Sequence, residues 1–240
     1  MECLWFFSRR LVKLDMKNQV LICPSILNAN FDDLENEINK VKEVSDMLHL
    51  DIMDDKFVPN ITFDFKRAVE IIKFSPLPVD AHLMIEDPDN LAPKYAQNGC
   101  KSVTFHYEAA KNVRQTIIDV KSNGAKVGLA IKPATEFSMI EEFIEEIDML
   151  LIMTVEPGFG GQSFMSEQMS KVSIARSRIN RCKEPIPLLQ IDGGVSESTI
   201  EIAAKAGGNC FVAGSAVYKS SDPSQMVRKL RNLAEKSFKN

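Results

Sequence analysis

The sequence is poor in cysteine, histidine and tryptophan, with five, three and one of them among 240 residues. The cysteines, Cys3, Cys23, Cys100, Cys182 and Cys210, are scattered and form no CxxC pair. That spacing suggests neither a zinc knuckle nor a disulfide framework, and a reducing cytoplasm is the simplest reading. A formal net charge of −4 and the lack of a basic stripe give no reason to expect nucleic-acid binding. Long apolar runs are missing too. The patch Leu4-Trp5-Phe6-Phe7 is far too short to cross a membrane and too short for a signal-peptide core, and Arg9 and Arg10 follow it instead of preceding it. Neither secretion nor a membrane anchor is expected. Residues 1–16 read as an extension or docking arm, unless Met16 is the start. No Pro/Gly/Ser-rich linker divides the remainder, so residues 17–240 read as one domain, long enough to bury a core without disulfide or metal staples.

Apolar runs of strand length occur at 20–23, 47–53, 78–84, 102–106, 126–131, 149–155, 187–191 and 209–213. Amphipathic stretches of helical spacing separate and follow them, at 31–44, 65–74, 90–98, 113–123, 137–147, 167–180, 198–206 and 224–236. Asn98-Gly99, Asn123-Gly124 and Ala206-Gly207 stand as helix stops. Strict alternation argues for a parallel sheet with helical crossovers. Eight such units in this length predict a closed (β/α)8 TIM barrel, with an open doubly wound sheet as the alternative. A barrel concentrates chemistry at the C-terminal ends of its strands.

The unusual residues fall at those ends. In the run His49-Leu50-Asp51-Ile52-Met53, a period of two turns Leu48, Leu50 and Ile52 one way and His49, Asp51 and Met53 the other. His82 and Met84 share a face in the next run, and Asp192 ends the seventh, before Gly193-Gly194. Two imidazoles and two carboxylates, His49, Asp51, His82 and Asp192, suit one divalent ion such as Zn, Fe, Mn or Co. Taken singly, each could instead be a satisfied core residue, a salt bridge or a cap. Asp51 and Asp192 lie on strands well separated around the ring. They could flank a carbon held over the barrel mouth, one removing a proton and the other returning one to the opposite face.

Glycine loops follow the last three strands. Gly158-Phe159-Gly160-Gly161, Gly193-Gly194 and Gly214-Ser215 favour a phosphate grip at the mouth over three unrelated turns. None is a Walker A motif or a Rossmann fingerprint, so neither ATP nor NAD is implied. Met53, Met84 and Met153 end strands and read either as a polarizable pocket lining or as core filler. Ser25 could bind substrate or shape a turn. His106, sharing a face with Thr104, reads as a pocket or core histidine.

Together these residues resemble the ribulose-phosphate 3-epimerase family. The resemblance rests on Pro24-Ser25-Ile26-Leu27, Leu48-His49-Leu50-Asp51-Ile52-Met53-Asp54, Phe57-Val58-Pro59-Asn60-Ile61-Thr62, Asp80-Ala81-His82-Leu83-Met84, the run from Pro157 to Gln162, Asp192-Gly193-Gly194-Val195 and Val212-Ala213-Gly214-Ser215-Ala216. It implies a cytoplasmic, homo-oligomeric enzyme of the pentose phosphate pathway. Its reaction would invert C3 of a ketopentose 5-phosphate through a metal-stabilised ene-diolate. His49, Asp51, His82 and Asp192 would hold the metal, and Asp51 and Asp192 would be the acid/base pair. Ser25, His82, Asp192 and the glycine loops would contact the phosphorylated sugar, and the three methionines would line the pocket. Two positions depart from the family pattern. Asp55 and Ala134 stand where glycine is usual, and Asp is one of the few residues that tolerate positive φ. A hexulose-phosphate epimerase is the near alternative. A catalytically silent phosphosugar-binding barrel is the alternative of another class, and a related lyase is disfavoured because no lysine-and-aspartate cluster ends a strand.

Overall fold

The computed structural model describes residues 19–183 and 187–238. The reading of residues 1–16 as an extension lies outside them. All eight expected strands form: β1 (Leu21–Pro24), β2 (Leu48–Met53), β3 (Val79–Met84), β4 (Ser102–His106), β5 (Lys126–Ile131), β6 (Met149–Met153), β7 (Leu188–Asp192) and β8 (Cys210–Ala213). Every pairing is parallel, in the order β1-β8-β7-β6-β5-β4-β3-β2. The two ends of that sheet meet at an isolated parallel bridge between Ser25 and His49. The sheet therefore curls into a nearly closed (β/α)8 barrel and is not an open doubly wound sheet.

Alternation along each strand divides the core in two. Leu48, Leu50 and Ile52 of β2, Val79, Ala81 and Leu83 of β3, and Val103 and Phe105 of β4 face outward into the main apolar cluster beneath the helices. The inward residues form layers. Leu21, Cys23, Met149, Leu188 and Cys210 make an apolar plug, whereas Met53, Met84 and Val58 make a separate cluster. With both faces buried, the strands read as nearly continuous apolar runs, and the inward polar residues stand out against them.

The helices are α1 (Leu34–Asn39), α2 (Phe65–Phe74), α3 (Pro88–Gln97), α4 (Val113–Ser122), α5 (Met169–Ile179), α6 (Ile200–Lys205), α7 (Ser215–Tyr218) and α8 (Pro223–Ser237). Two expected helices are reduced. Residues 137–147 form 3₁₀ turns at Phe137–Met139 and Glu141–Phe143 and no α-helix. Phe137, Ile140 and Phe143 recur every third residue, the period of a 3₁₀ turn, and all three are buried. In the 31–44 stretch only Leu34–Asn39 is α-helical, and Val41 and Val44 are buried by tighter turns, with i→i+3 bonds from Val41 N–H to the Ile38 carbonyl and from Val44 N–H to the Val41 carbonyl.

Asp55, just beyond β2, has a φ of 56° and is the one non-glycine residue in that region among the described residues. Its N–H donates to the Asn60 carbonyl at 2.8 Å, closing the turn. A left-handed position penalises a Cβ by about 1–2 kcal/mol, less for Asp than for most residues. Thermal unfolding is expected to show Asp55→Gly as stable as the parent or more so, and Asp55→Val as destabilised by about that amount; equal melting of the two variants would refute the strain.

Candidate active site and metal centre

The registration of β2 against β3 builds the site. His49 pairs with Asp80, Asp51 with His82, and Met53 with Met84. Two parallel strands with the same inward phase thus stack a His49–Asp80 layer below an Asp51–His82 layer below a methionine layer. Asp192, at the end of β7 opposite Met153, reaches the same point from across the barrel.

His49 Nε2 lies 3.4 Å from Asp51 Oδ1 and 3.8 Å from Asp192 Oδ2. His82 Nδ1 lies 3.3 Å from Asp51 Oδ1 and 3.5 Å from Asp192 Oδ2. The two ring nitrogens are 3.3 Å apart. One ligand atom from each residue sits within 4.8 Å of all the others. A tetrahedral site with bonds of about 2.0–2.1 Å has edges of about 3.3–3.4 Å, so the donor atoms fit one divalent ion. The donor set, two imidazoles and two carboxylates with no thiolate, suits the borderline metals expected from the sequence.

Neighbouring side chains hold these groups in place. Ser25 Oγ donates to Asp51 Oδ2 at 2.5 Å and accepts from Leu27 N–H at 3.2 Å. The second carboxylate oxygen is thereby engaged, while Oδ1 faces the histidines. Thr62 Oγ1 donates to the Asp51 carbonyl and accepts from Met53 N–H, clamping the end of β2. Thr154 clamps β7 in the same way, its hydroxyl lying within hydrogen-bonding reach of the Asp192 and Gly193 carbonyls. Under the site is a buried carboxylate that the sequence reading did not single out. Asp80 Oδ2 lies 3.0 Å from His49 Nδ1 and accepts from Gln190 Nε2 at 2.9 Å, and Oδ1 accepts from Ser102 Oγ at 2.7 Å. Its position two residues before His82 on the same strand face was the available signal. Asp80 fixes a proton on His49 Nδ1 and leaves Nε2 as the free donor toward the site.

The electrostatics follow from this packing. Burial opposes charge on His49, yet the carboxylates of Asp51 and Asp80 hold its pKa well above the ordinary imidazole value. Burial likewise opposes the charge on Asp51, and His49 and His82 outweigh it, holding the carboxyl below its usual range. His82 is raised against burial by Asp192 and Asp51. His106 behaves differently: burial pushes it down to about 4 despite Glu108. A cluster that draws protons onto two histidines is one that a divalent cation would satisfy in their place.

A pocket opens above the cluster. Its lining includes Ser25, Asp51, Met53, Met84, Met153, Gly158, Phe159, Gly160, Gly161, Asp192, Gly193, Gly194, Gly214 and Ser215. His49 and His82 are fully buried and lie behind this wall, so His82 shows no surface to a substrate. Phe159 is 54% exposed, whereas the three methionines are buried. Asn28, which the sequence reading did not single out, and Gln162, which it placed in the glycine loop without a role, also line the pocket. Asn28 lies between two glycine loops: a Cβ on Gly160 or Gly214 would come within 2.8 or 2.6 Å of its side chain. Gln162 Nε2 donates to the carbonyls of Glu156 and Phe159, holding its loop closed on itself.

Comparison with known proteins agrees with this geometry. A profile described as the ribulose-phosphate 3 epimerase family matches residues 21–218. The chain belongs to the ribulose-phosphate 3-epimerase family. It is by that membership an epimerase, an enzyme of the isomerase class. Among its relatives, the ribulose-phosphate 3-epimerase of Mycobacterium leprae is 46% identical over 214 residues, covering 89% of this chain and 95% of that protein. That of Bacillus subtilis is 38% identical, covering 88% and 98%. A solved structure of 3-hexulose-6-phosphate synthase from Salmonella typhimurium superposes with a TM-score of 0.66 at 16% identity, covering 90% of this chain and 99% of that one; it supports the fold. Among the described residues, no helix is long and apolar enough to cross a membrane.

Proposed function

We propose that this epimerase inverts C3 of a ketopentose 5-phosphate, interconverting D-ribulose 5-phosphate and D-xylulose 5-phosphate in the cytoplasm. One observation carries the reading: Asp51 and Asp192, from strands separated around the ring, converge on the His49–His82 pair at the floor of a glycine-rimmed pocket. The pocket residues divide the work. Gly193, Gly194, Gly214 and Ser215 offer backbone N–H groups to the phosphate at the end of the barrel where this fold usually grips one. The carboxylates of Asp51 and Asp192 address the carbon from opposite faces, one taking the C3 proton and the other delivering a proton to the far side. Ser25 keeps Asp51 oriented through its bond to Oδ2. Met53, Met84 and Met153 exclude water from the carbon while charge develops. His49, Asp51, His82 and Asp192 would hold a divalent ion, which would supply positive charge to offset that of the ene-diolate.

The substrate assignment is tested by kcat/KM values measured side by side on D-ribulose 5-phosphate and a hexulose 6-phosphate. A preference for the pentulose of about tenfold or more is expected. A preference for the hexulose would move the chain to the longer sugar.

A further inference from the structure

The histidine left over from the proposed chemistry, His106, is joined to the metal centre on one side and to a carboxylate on the other. His82 Nε2 and His106 Nε2 are 3.0 Å apart, and the two rings are within 26° of parallel. His106 Nδ1 lies 3.2 Å from Glu108 Oε2. The other Glu108 oxygen accepts from Lys132 N–H at 2.7 Å and from Thr135 Oγ1 at 2.5 Å. Phe57 covers the His106 ring at 4.9 Å, and Lys132 Nζ sits 3.8 Å from the Phe57 centroid. His82 and His106 are both fully buried.

Proton positions in this chain are dictated from its ends. Ionised Glu108, which already accepts from the Lys132 N–H and the Thr135 hydroxyl, has no proton to give, so His106 must carry its proton on Nδ1 and present a lone pair at Nε2. His82 can satisfy that lone pair only by carrying a proton on Nε2, which in the neutral ring leaves Nδ1 unprotonated toward Asp51 and Asp192. The geometry points to Glu108 and His106 as positioning residues that set the tautomer and ring orientation of His82, so that its Nδ1 is a ready metal donor. This rests on the reading of the quartet as a metal site. The two histidines are thus tethered unequally: His49 by Asp80 directly, His82 by Glu108 through an intervening imidazole. A core histidine that merely fills space would need no particular tautomer, and Glu108, a further hydrogen bond away, would have no influence on the metal.

The test uses the full chain and Zn²⁺, titrated in competition with a chromophoric chelator, with folding checked by circular dichroism. Glu108→Ala and His106→Phe are expected to weaken Zn²⁺ binding about 10–100-fold. His106→Gln, whose amide oxygen can still accept from His82, is expected to recover most of the loss. In the ¹⁵N spectrum of the metal-free parent protein at a pH alkaline enough for both rings to be neutral, His82 should show its proton on Nε2 and His106 on Nδ1; the opposite tautomers overturn the inference even if the variants fail to fold. Parent-like affinity in Glu108→Ala and His106→Phe, with the His82 tautomer unchanged, also overturns it. A parent protein that binds no Zn²⁺ defeats the metal reading itself, a result distinguishable from either of these.

Discussion

Asp51→Asn is expected to lower kcat for epimerisation by about 10³-fold or more, because in the proposed mechanism the residue both ligates the ion and moves a proton. The amide keeps the shape but loses the basic oxygen and the negative charge that His49 and His82 stabilise. Asp192→Asn should cost a similar factor. The informative result is how the two variants differ when compared at saturating metal. If each carboxylate serves one face, each variant retains exchange of the C3 hydrogen with solvent on one epimer only, and the two retain it on opposite epimers. Exchange and inversion therefore separate in the variants although they are coupled in the parent. Parent-like turnover in Asp51→Asn would leave the chain a phosphosugar-binding barrel with no chemistry at this site.

Metal removal should be nearly as costly. Chelation is expected to abolish turnover, and add-back of Zn²⁺, Mn²⁺, Co²⁺ or Fe²⁺ to restore it to different extents. The stripped protein should also change its pH dependence of stability. The folded pKa values of His49 and His82 are raised, so their contribution is complete below the unfolded value of about 6.5 and is lost as pH rises through the folded values. Asp51 is lowered, so its contribution is complete above about 3.9 and is lost as pH falls. His106 works the other way, losing stability as pH falls from about 6.5 toward its depressed value of about 4. The lowered histidine costs stability only below about 6.5 and the raised pair only above it, so the metal-free protein should be most stable near that pH, on the acidic side of neutrality. Metal binding requires unprotonated imidazoles and should move that optimum upward. Melting temperatures of the stripped and loaded protein across pH 4–9 measure both curves; coincident curves would show that the ion does not occupy the cluster.

Much of this site was readable in strand alternation. In β2 and β3 one face is entirely aliphatic, and polar residues on the opposite face of a buried strand are costly unless they have partners, so His49, Asp51 and His82 stood out. The glycine-bearing ends of β7 and β8 gave the position of the pocket for the same reason: the fold puts them at one mouth. Less readable were contacts that join distant segments. Asp80 and Gln190 are 110 positions apart and meet only because β3 and β7 face each other across the barrel. Asn28 shows its importance only when the loops bearing Gly160 and Gly214 close on it. From the sequence His106 reads equally as a pocket or a core histidine, because only the folded arrangement shows that the His82 nitrogen facing it is the one turned away from the site. The loss of an α-helix at 137–147 has a local cause, an apolar spacing of three that a reading for helical amphipathicity accepts too readily.

The opposed carboxylates are tested most directly by running the reaction in D₂O with metal-loaded protein and examining the product early by proton NMR. D-xylulose 5-phosphate formed from D-ribulose 5-phosphate is expected to carry deuterium at C3, because in the proposed mechanism the proton delivered comes from a different carboxylate, exchanged with solvent, than the one that removed the substrate's. Inverted product that retains the substrate's own hydrogen at C3 would contradict two-carboxylate transfer by Asp51 and Asp192.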